Sequence, residues 1–289
     1  MKKITKAVII AAGYGTRFLP ETKSVTKEML PIIDRPILHY IVEEAVKSGI
    51  KDIIFVTRGI NPSLETYFDA DYALEEYLDQ NGKQDKLAEI QELSGMANFI
   101  FMKQRRDLPY GTGTPLLSVK SIIGKDEPFA YIQGDDLVLG KTPALKTLMD
   151  TYYAHPDAAA IVVSQKVPKE EVTKYGIVAL KDEKTGLVEK LIEKPSITDA
   201  PSNLATYGRY ILTYPVIEQI EKKILGKDNE LWLADALNVL SKSSQVYNTT
   251  VEGKWLTTGD PFNYIKAMLT YALERDDLKD KLLEFIHTL

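Results

Sequence analysis

Short apolar runs alternate with longer stretches of helical periodicity along this chain, and that alternation limits its fold more than any other feature. The runs at 7–11, 52–57, 98–103 and 129–133 are rich in Val, Ile, Phe and Tyr. Such runs read as strands buried on both faces. Helical patterns at 37–48, 63–79, 84–93 and 114–123 lie around and between them. Repeated β-α-β units predict a mainly parallel sheet covered by helices on each side, the α/β class. Past a helix at 144–154 the strand-like runs crowd together, at 158–164, 176–180, 187–193 and 206–212, so this part reads as mixed or antiparallel. Helices follow at 215–224 and 231–241, and 261–286 is mostly helical in pattern.

Composition removes several function classes. The 289 residues carry a formal charge of −5, against the basic face that nucleic-acid and membrane-surface proteins use. No cysteine is present, which excludes disulfides, thiolate metal sites and cysteine nucleophiles. With three histidines, a His-rich metal centre is not expected. The longest apolar runs, 7–12 and 158–163, fall far short of the roughly 20 residues needed to span a bilayer. A basic start without a signal-peptide pattern makes the cytoplasm the expected compartment.

The first strand runs into Ala11-Ala12-Gly13-Tyr14-Gly15-Thr16-Arg17. Ligands of open α/β sheets sit beyond the carboxyl ends of strands. Small residues there let phosphate reach backbone N–H groups. Arg17, Lys23 and Lys27 supply three nearby cations. A Gly-x-Gly pair also fits a plain βα turn. Phe18 stands where a dinucleotide fingerprint needs its third glycine, and no Gly-Lys-Ser/Thr closes the loop. Two further strand ends share this edge, Lys103-Gln104 and Gln133-Gly134-Asp135-Asp136. Taken alone, Asp135-Asp136 fits either a solvated turn or a hard carboxylate ligand for Mg²⁺.

The segment from Gly13 to Lys23, followed by Lys27-Glu28-Met29-Leu30-Pro31, resembles the signature of the sugar-nucleotide pyrophosphorylases. Matches continue in order along the chain: Phe68-Asp69, Gln133 to Val138, Tyr175-Gly176-Ile177-Val178, Glu193-Lys194-Pro195, Pro201 to Ala205, Gly208-Arg209-Tyr210 and Asp228 to Leu237. The resemblance implies a Rossmann-like three-layer α/β/α nucleotidyltransferase fold with a mixed, mainly parallel central sheet. It implies a single domain over 1–289. Residues 1–157 would bind nucleotide, 158–257 sugar phosphate, and 261–289 would form a C-terminal helical segment.

The activity implied is transfer of the uridylyl group of UTP to glucose 1-phosphate, giving UDP-glucose and pyrophosphate with Mg²⁺ as cofactor. Arg17, Lys27, Asp135 and Lys194 would be catalytic. Ala11, Ala12, Gly13, Gly15, Thr16, Glu28, Gln104, Gly111 and Asp136 would bind the nucleotide. Gly176, Glu193, Lys194 and Gly208 would bind the sugar phosphate. A homo-oligomer, dimer or tetramer, is expected; a nucleic-acid or membrane partner is not.

The chain departs from the family pattern twice. Gly111-Thr112-Gly113-Thr114-Pro115 replaces the frequent Gly-Leu-Gly-His-Ala, at the loop that packs on the base. Thr257 stands where relatives often carry a second metal-binding Asp, and Asp260 lies three residues on. Either Asp260 or water then completes the shell around a metal on Asp135. Asp260-Pro261 reads equally well as a helix N-cap. Two alternatives remain open: a thymidylyl- or cytidylyltransferase acting on a hexose 1-phosphate, and a non-catalytic nucleotide-sugar-binding regulator.

Overall fold

The computed structural model describes residues 2–243 and 245–288. Its strands are β1 (Lys6–Ala11), β2 (Pro31–Ile32), β3 (Arg35–Pro36), β4 (Asp52–Thr57), β5 (Asn98–Lys103), β6 (Phe129–Gln133) and β7 (Asp136–Leu139), then β8 (Ala160–Lys166), β9 (Gly176–Asp182), β10 (Leu187–Glu193), β11 (Leu204–Leu212), β12 (Val246–Thr249) and β13 (Lys254–Thr257). Nine of them form one sheet in the order β5-β4-β1-β6-β11-β8-β12-β10-β9. The four strands from β5 to β6 are mutually parallel. Beyond them β10 and β11 run against their neighbours, while β8 and β12 pair in parallel. The sheet is therefore mixed and mainly parallel, as expected.

Alternation within the strands creates the layers. Side chains of a strand point to opposite faces in turn. Ile9, Ile53, Phe55 and Ile132 enter one core with the helices Ile37–Lys47 and Ala144–Ala154. Val8, Ile54, Val56 and Tyr131 enter the other, against Thr114–Val119, Tyr214–Glu221 and Leu233–Ser243. Both faces of the central strands are thus dry, which explains why those runs carry no polar alternation.

Several elements differ from expectation. The helix predicted over 63–79 is two, Pro62–Phe68 and Tyr72–Gln80, because Asp71 accepts the Leu74 N–H at 3.0 Å and starts the second. The predicted 261–286 is likewise split into Pro261–Leu273 and Lys279–His287. Strand β12, only four residues long, and the β7–β13 ribbon had no sequence signal. The ribbon sets Thr257 opposite Asp136. No helix among the described residues is long and apolar enough to cross a membrane.

Candidate active site

Two adjoining clefts open at the carboxyl ends of β1 and β6. The first, of about 320 Å³, is lined by Ala12, Gly13, Arg17, Lys27, Glu28, Gln104 and Gly111 among others. The second, of about 230 Å³, is lined by Gly176, Glu193, Tyr207 and Trp255 among others. Arg17, Gln133, Asp135 and Lys194 belong to both. The seam between the clefts therefore holds two cations and one carboxylate.

The glycine loop is shaped by its backbone. Gly15 has φ of +63°, a left-handed conformation suited to glycine, and its carbonyl accepts the Thr22 hydroxyl at 2.7 Å. Gly13, Gly15, Thr16, Arg17 and Lys27 line a third hollow of about 360 Å³ continuous with the loop. Ala11 is the buried last residue of β1, beneath the loop, and lies outside these three hollows.

Lys27 donates to the Asp135 carboxylate and lies 3.8 Å from Glu28. Burial opposes its charge, but the two carboxylates outweigh burial and hold its pKa above the ordinary lysine value. Burial pushes Asp135 up, and Lys27 and Arg17 more than compensate, leaving it below the usual aspartate value. Glu28 is only 2% exposed, and burial raises its pKa to about 7. Its Oε2 is buried without a hydrogen-bond partner.

The turn carrying Asp135 is anchored from two sides. Its carbonyl accepts the Thr258 N–H at 2.7 Å and hydroxyl at 2.8 Å. Arg209, fully buried, donates to Glu44 at 2.8 Å, to the Asp136 carbonyl at 2.9 Å and to the Gly208 carbonyl at 3.0 Å. Arg209 was visible in a motif, but only the fold shows this bracing.

Three expected site residues do other work. Asp136 was assigned to the nucleotide, yet its carboxylate accepts the Gly208 N–H at 2.9 Å and the Trp255 indole N–H at 2.8 Å, on the side of the second cleft. Gly208 lines neither cleft: a Cβ there would lie 2.6 Å from Gln133 Cβ, so its smallness lets β11 pack on the Asp135 turn. Asp260 lines neither cleft and caps the helix Pro261–Leu273, accepting the Asn263 N–H at 3.0 Å and its side-chain amide at 2.6 Å. Both oxygens of Asp260 are engaged in this cap. Among the described residues no cluster of three or more His, Asp or Glu could hold a metal.

Gly111 has φ of +136°, and a Cβ there would strike the Leu231 carbonyl at 2.4 Å. Its loop is bonded to the same segment, Gly113 donating to the Leu231 carbonyl at 2.8 Å. Gln104 stands at the end of β5 and donates its N–H to Thr57 at 2.7 Å. In the second cleft a side chain at Gly176 would crowd Thr206 and Glu193. Burial raises the Glu193 pKa to about 7. Tyr207 and Trp255 stack at 4.9 Å, and Tyr175 meets Trp255 edge-on at 5.0 Å. In the sequence Tyr110 and Tyr207 carry no site role and look like core aromatics; Tyr175, Glu230 and Trp232 lie inside matched motifs, but only the fold brings them to the clefts.

A parallel sheet half with a glycine loop, and two clefts meeting over cations and a carboxylate, define a phosphate-handling nucleotide enzyme. The chain belongs to the nucleotidyl transferase family, whose model matches residues 6–274. It is 39% identical to the UTP–glucose-1-phosphate uridylyltransferase of Bacillus subtilis, over 100% of this chain and 98% of the relative. It is 40% identical to the enzyme of that name from Staphylococcus epidermidis, covering 100% and 99%. Among solved structures, the UTP-bound UDP-glucose pyrophosphorylase of Acinetobacter baumannii superposes with a TM-score of 0.87 at 35% identity, covering 99% of each chain. A UDP-glucose pyrophosphorylase in complex with UDP-glucose gives 0.83 at 37%, covering 94% of this chain and 100% of the other.

Proposed function

We propose that the protein transfers the uridylyl group of UTP to glucose 1-phosphate, releasing pyrophosphate and forming UDP-glucose. The observation that carries this reading is the shared seam: Arg17, Asp135 and Lys194 face both clefts, so two phosphates bound one on each side meet over the same groups. The relatives named above act on these substrates or bind them.

The acceptor phosphate is already an anion and attacks the α-phosphorus in line. No general base is required, and catalysis is positioning and charge stabilisation. Gly13, Gly15 and Thr16 receive the triphosphate. Arg17 and Lys27 balance the charge that builds on the leaving pyrophosphate. Gln104 and the backbone at Gly111 read the base, since an amide can both donate and accept. Glu28 offers its unpartnered Oε2 to a nucleotide hydroxyl or N–H. Lys194 takes the sugar phosphate. Glu193 and the Tyr207–Trp255 wall hold the sugar, the first through hydroxyls and the second through its apolar face.

Asp135 fits a Mg²⁺ ion held mainly by substrate phosphates and water, because its hard carboxylate lies at the seam of the two clefts beside Lys27 and Arg17. The ion, when bound, neutralises phosphate charge. The nucleotide is thus handled within 1–157 and the sugar largely within 158–257. The helix Pro261–Leu273 exposes Phe262, Ile265 and Leu269, which a second copy of the chain would cover in a homo-oligomer.

Pyrophosphate release with glucose 1-phosphate and each of UTP, dTTP, CTP and ATP tests the base assignment. UTP should be used best. Thymine differs from uracil by one methyl, so dTTP should follow within about 10–200-fold. A preference for dTTP or CTP would move the assignment to a thymidylyl- or cytidylyltransferase.

A further inference from the structure

Lys194 reaches the seam through a constrained backbone. Its φ is +43°, a left-handed conformation uncommon for a residue with a side chain. Its N–H donates to the Tyr175 carbonyl at 3.0 Å, and its own carbonyl accepts the Lys227 ammonium at 3.3 Å. The side chain then lies with Nζ 4.4 Å from the centroid of the Trp232 ring. The Trp232 indole donates to the Lys227 carbonyl at 2.9 Å, closing a ring of contacts through Lys194, Trp232 and Lys227. Trp232 is buried and lines both clefts. Its neighbours are bonded to the nucleotide-side loop, Leu231 to the Tyr110 carbonyl at 2.7 Å and Leu233 to the Thr112 hydroxyl at 3.1 Å.

We propose that Trp232 is the positioning residue for Lys194, its ring face holding the ammonium at the seam and thereby setting affinity for the acceptor phosphate. The proposal rests on the sugar-phosphate role given to Lys194 above. A free lysine side chain loses much rotamer freedom when it binds a phosphate. A π face attracts the cation and narrows its range without neutralising it. A carboxylate in the same place would compete with the phosphate for the ammonium. The indole therefore pre-places the charge and leaves it available.

The test uses the full chain with Mg²⁺, varying each substrate in turn. Wild-type turnover is measured first; its absence would overturn the proposed function and this proposal with it. Trp232→Leu should raise KM for glucose 1-phosphate about five- to tenfold and leave KM for UTP within about twofold, while Trp232→Phe, which keeps a π face, should largely restore it. In a Lys194→Met background, Trp232→Leu should add nothing further to KM for glucose 1-phosphate. An unchanged KM for glucose 1-phosphate, equal losses toward both substrates, or additive losses would overturn the proposal while leaving the function standing. Should Trp232→Leu fail to fold, the ligand-free protein decides. Lys194→Met should alter intrinsic tryptophan emission, since among the described residues Trp232, and not Trp255, has a lysine over its ring. An unchanged spectrum overturns the contact.

Discussion

The two clefts are assembled differently. On the nucleotide side, Gly13, Arg17, Lys27 and Glu28 come from one continuous stretch after β1, in the half of the sheet whose strands are all parallel. On the sugar side, Tyr175, Glu193, Tyr207 and Trp255 come from segments far apart in sequence, brought together by strands of mixed direction. Their chemistry differs as well. The first cleft is organised by an ion pair between Lys27 and Asp135, the second by aromatic rings and a carboxyl whose pKa is raised to about 7. Charge recognises phosphate, which is anionic at neutral pH, whereas a neutral or hydrogen-bonding surface suits sugar hydroxyls and apolar ring faces. The seam is where the two designs meet, and substitutions should sort accordingly.

The largest effect belongs to the seam itself. Asp135→Asn keeps shape and deletes one charge beside both phosphates. Turnover should fall about 10²–10³-fold, a loss on the scale of removing one preorganised electrostatic group, and thermal stability should fall as well, because Lys27 loses its ion-pair partner. Activity within a few-fold of wild type, measured by pyrophosphate release, would break the assignment.

Next come the lysines, which should separate the clefts. Lys27→Ala should weaken use of UTP and Lys194→Ala use of glucose 1-phosphate, each by about 10–100-fold, as for the loss of a charge-assisted hydrogen bond. Substrate titrations showing both variants impaired toward the same substrate would contradict the division.

Glu193 sharpens the comparison through pH. Its folded pKa is raised from 4.5 to about 7 by burial, so the folded state keeps a proton that the unfolded state has lost between those values. Stability from this group is therefore present below about pH 4.5 and declines as pH rises toward 7. Glu193→Gln should be more stable than wild type at pH 8, by about 3 kcal/mol, and match it at pH 4.5, while using glucose 1-phosphate less well. A stability gap that does not change with pH would show that ionised Glu193 is not costly. The smallest effect is expected at Asp260→Ala, with normal turnover and a loss of about 1 kcal/mol, the usual cost of removing an N-cap. A fall in turnover without a fall in melting temperature would return Asp260 to the metal site.

The same contrast explains what could be read in the sequence. Gly13, Arg17 and Lys27 were legible because a glycine loop and its cations sit within one short stretch. Asp135 was legible because an apolar strand ends just before it. The aromatic wall was not, since Tyr207 and Trp255 meet only through the register of β7 with β13 and the course of β11. Asp136 and Gly208 stand out in the sequence, but not for the contacts they make with each other. Local sequence marks them as unusual, but only the packing of β11 on the Asp135 turn shows that they brace the site. Strand β12 escaped because four residues carry too little period to stand out.

One measurement goes straight to the seam. The full chain, supplied with UTP, glucose 1-phosphate and Mg²⁺, is followed by chromatographic quantitation of UDP-glucose and pyrophosphate. Equimolar formation of the two products, lost in Asp135→Asn, is the result this arrangement of clefts requires. Binding of both substrates by the wild-type chain with no UDP-glucose formed would contradict it and mark the protein as a nucleotide-sugar sensor.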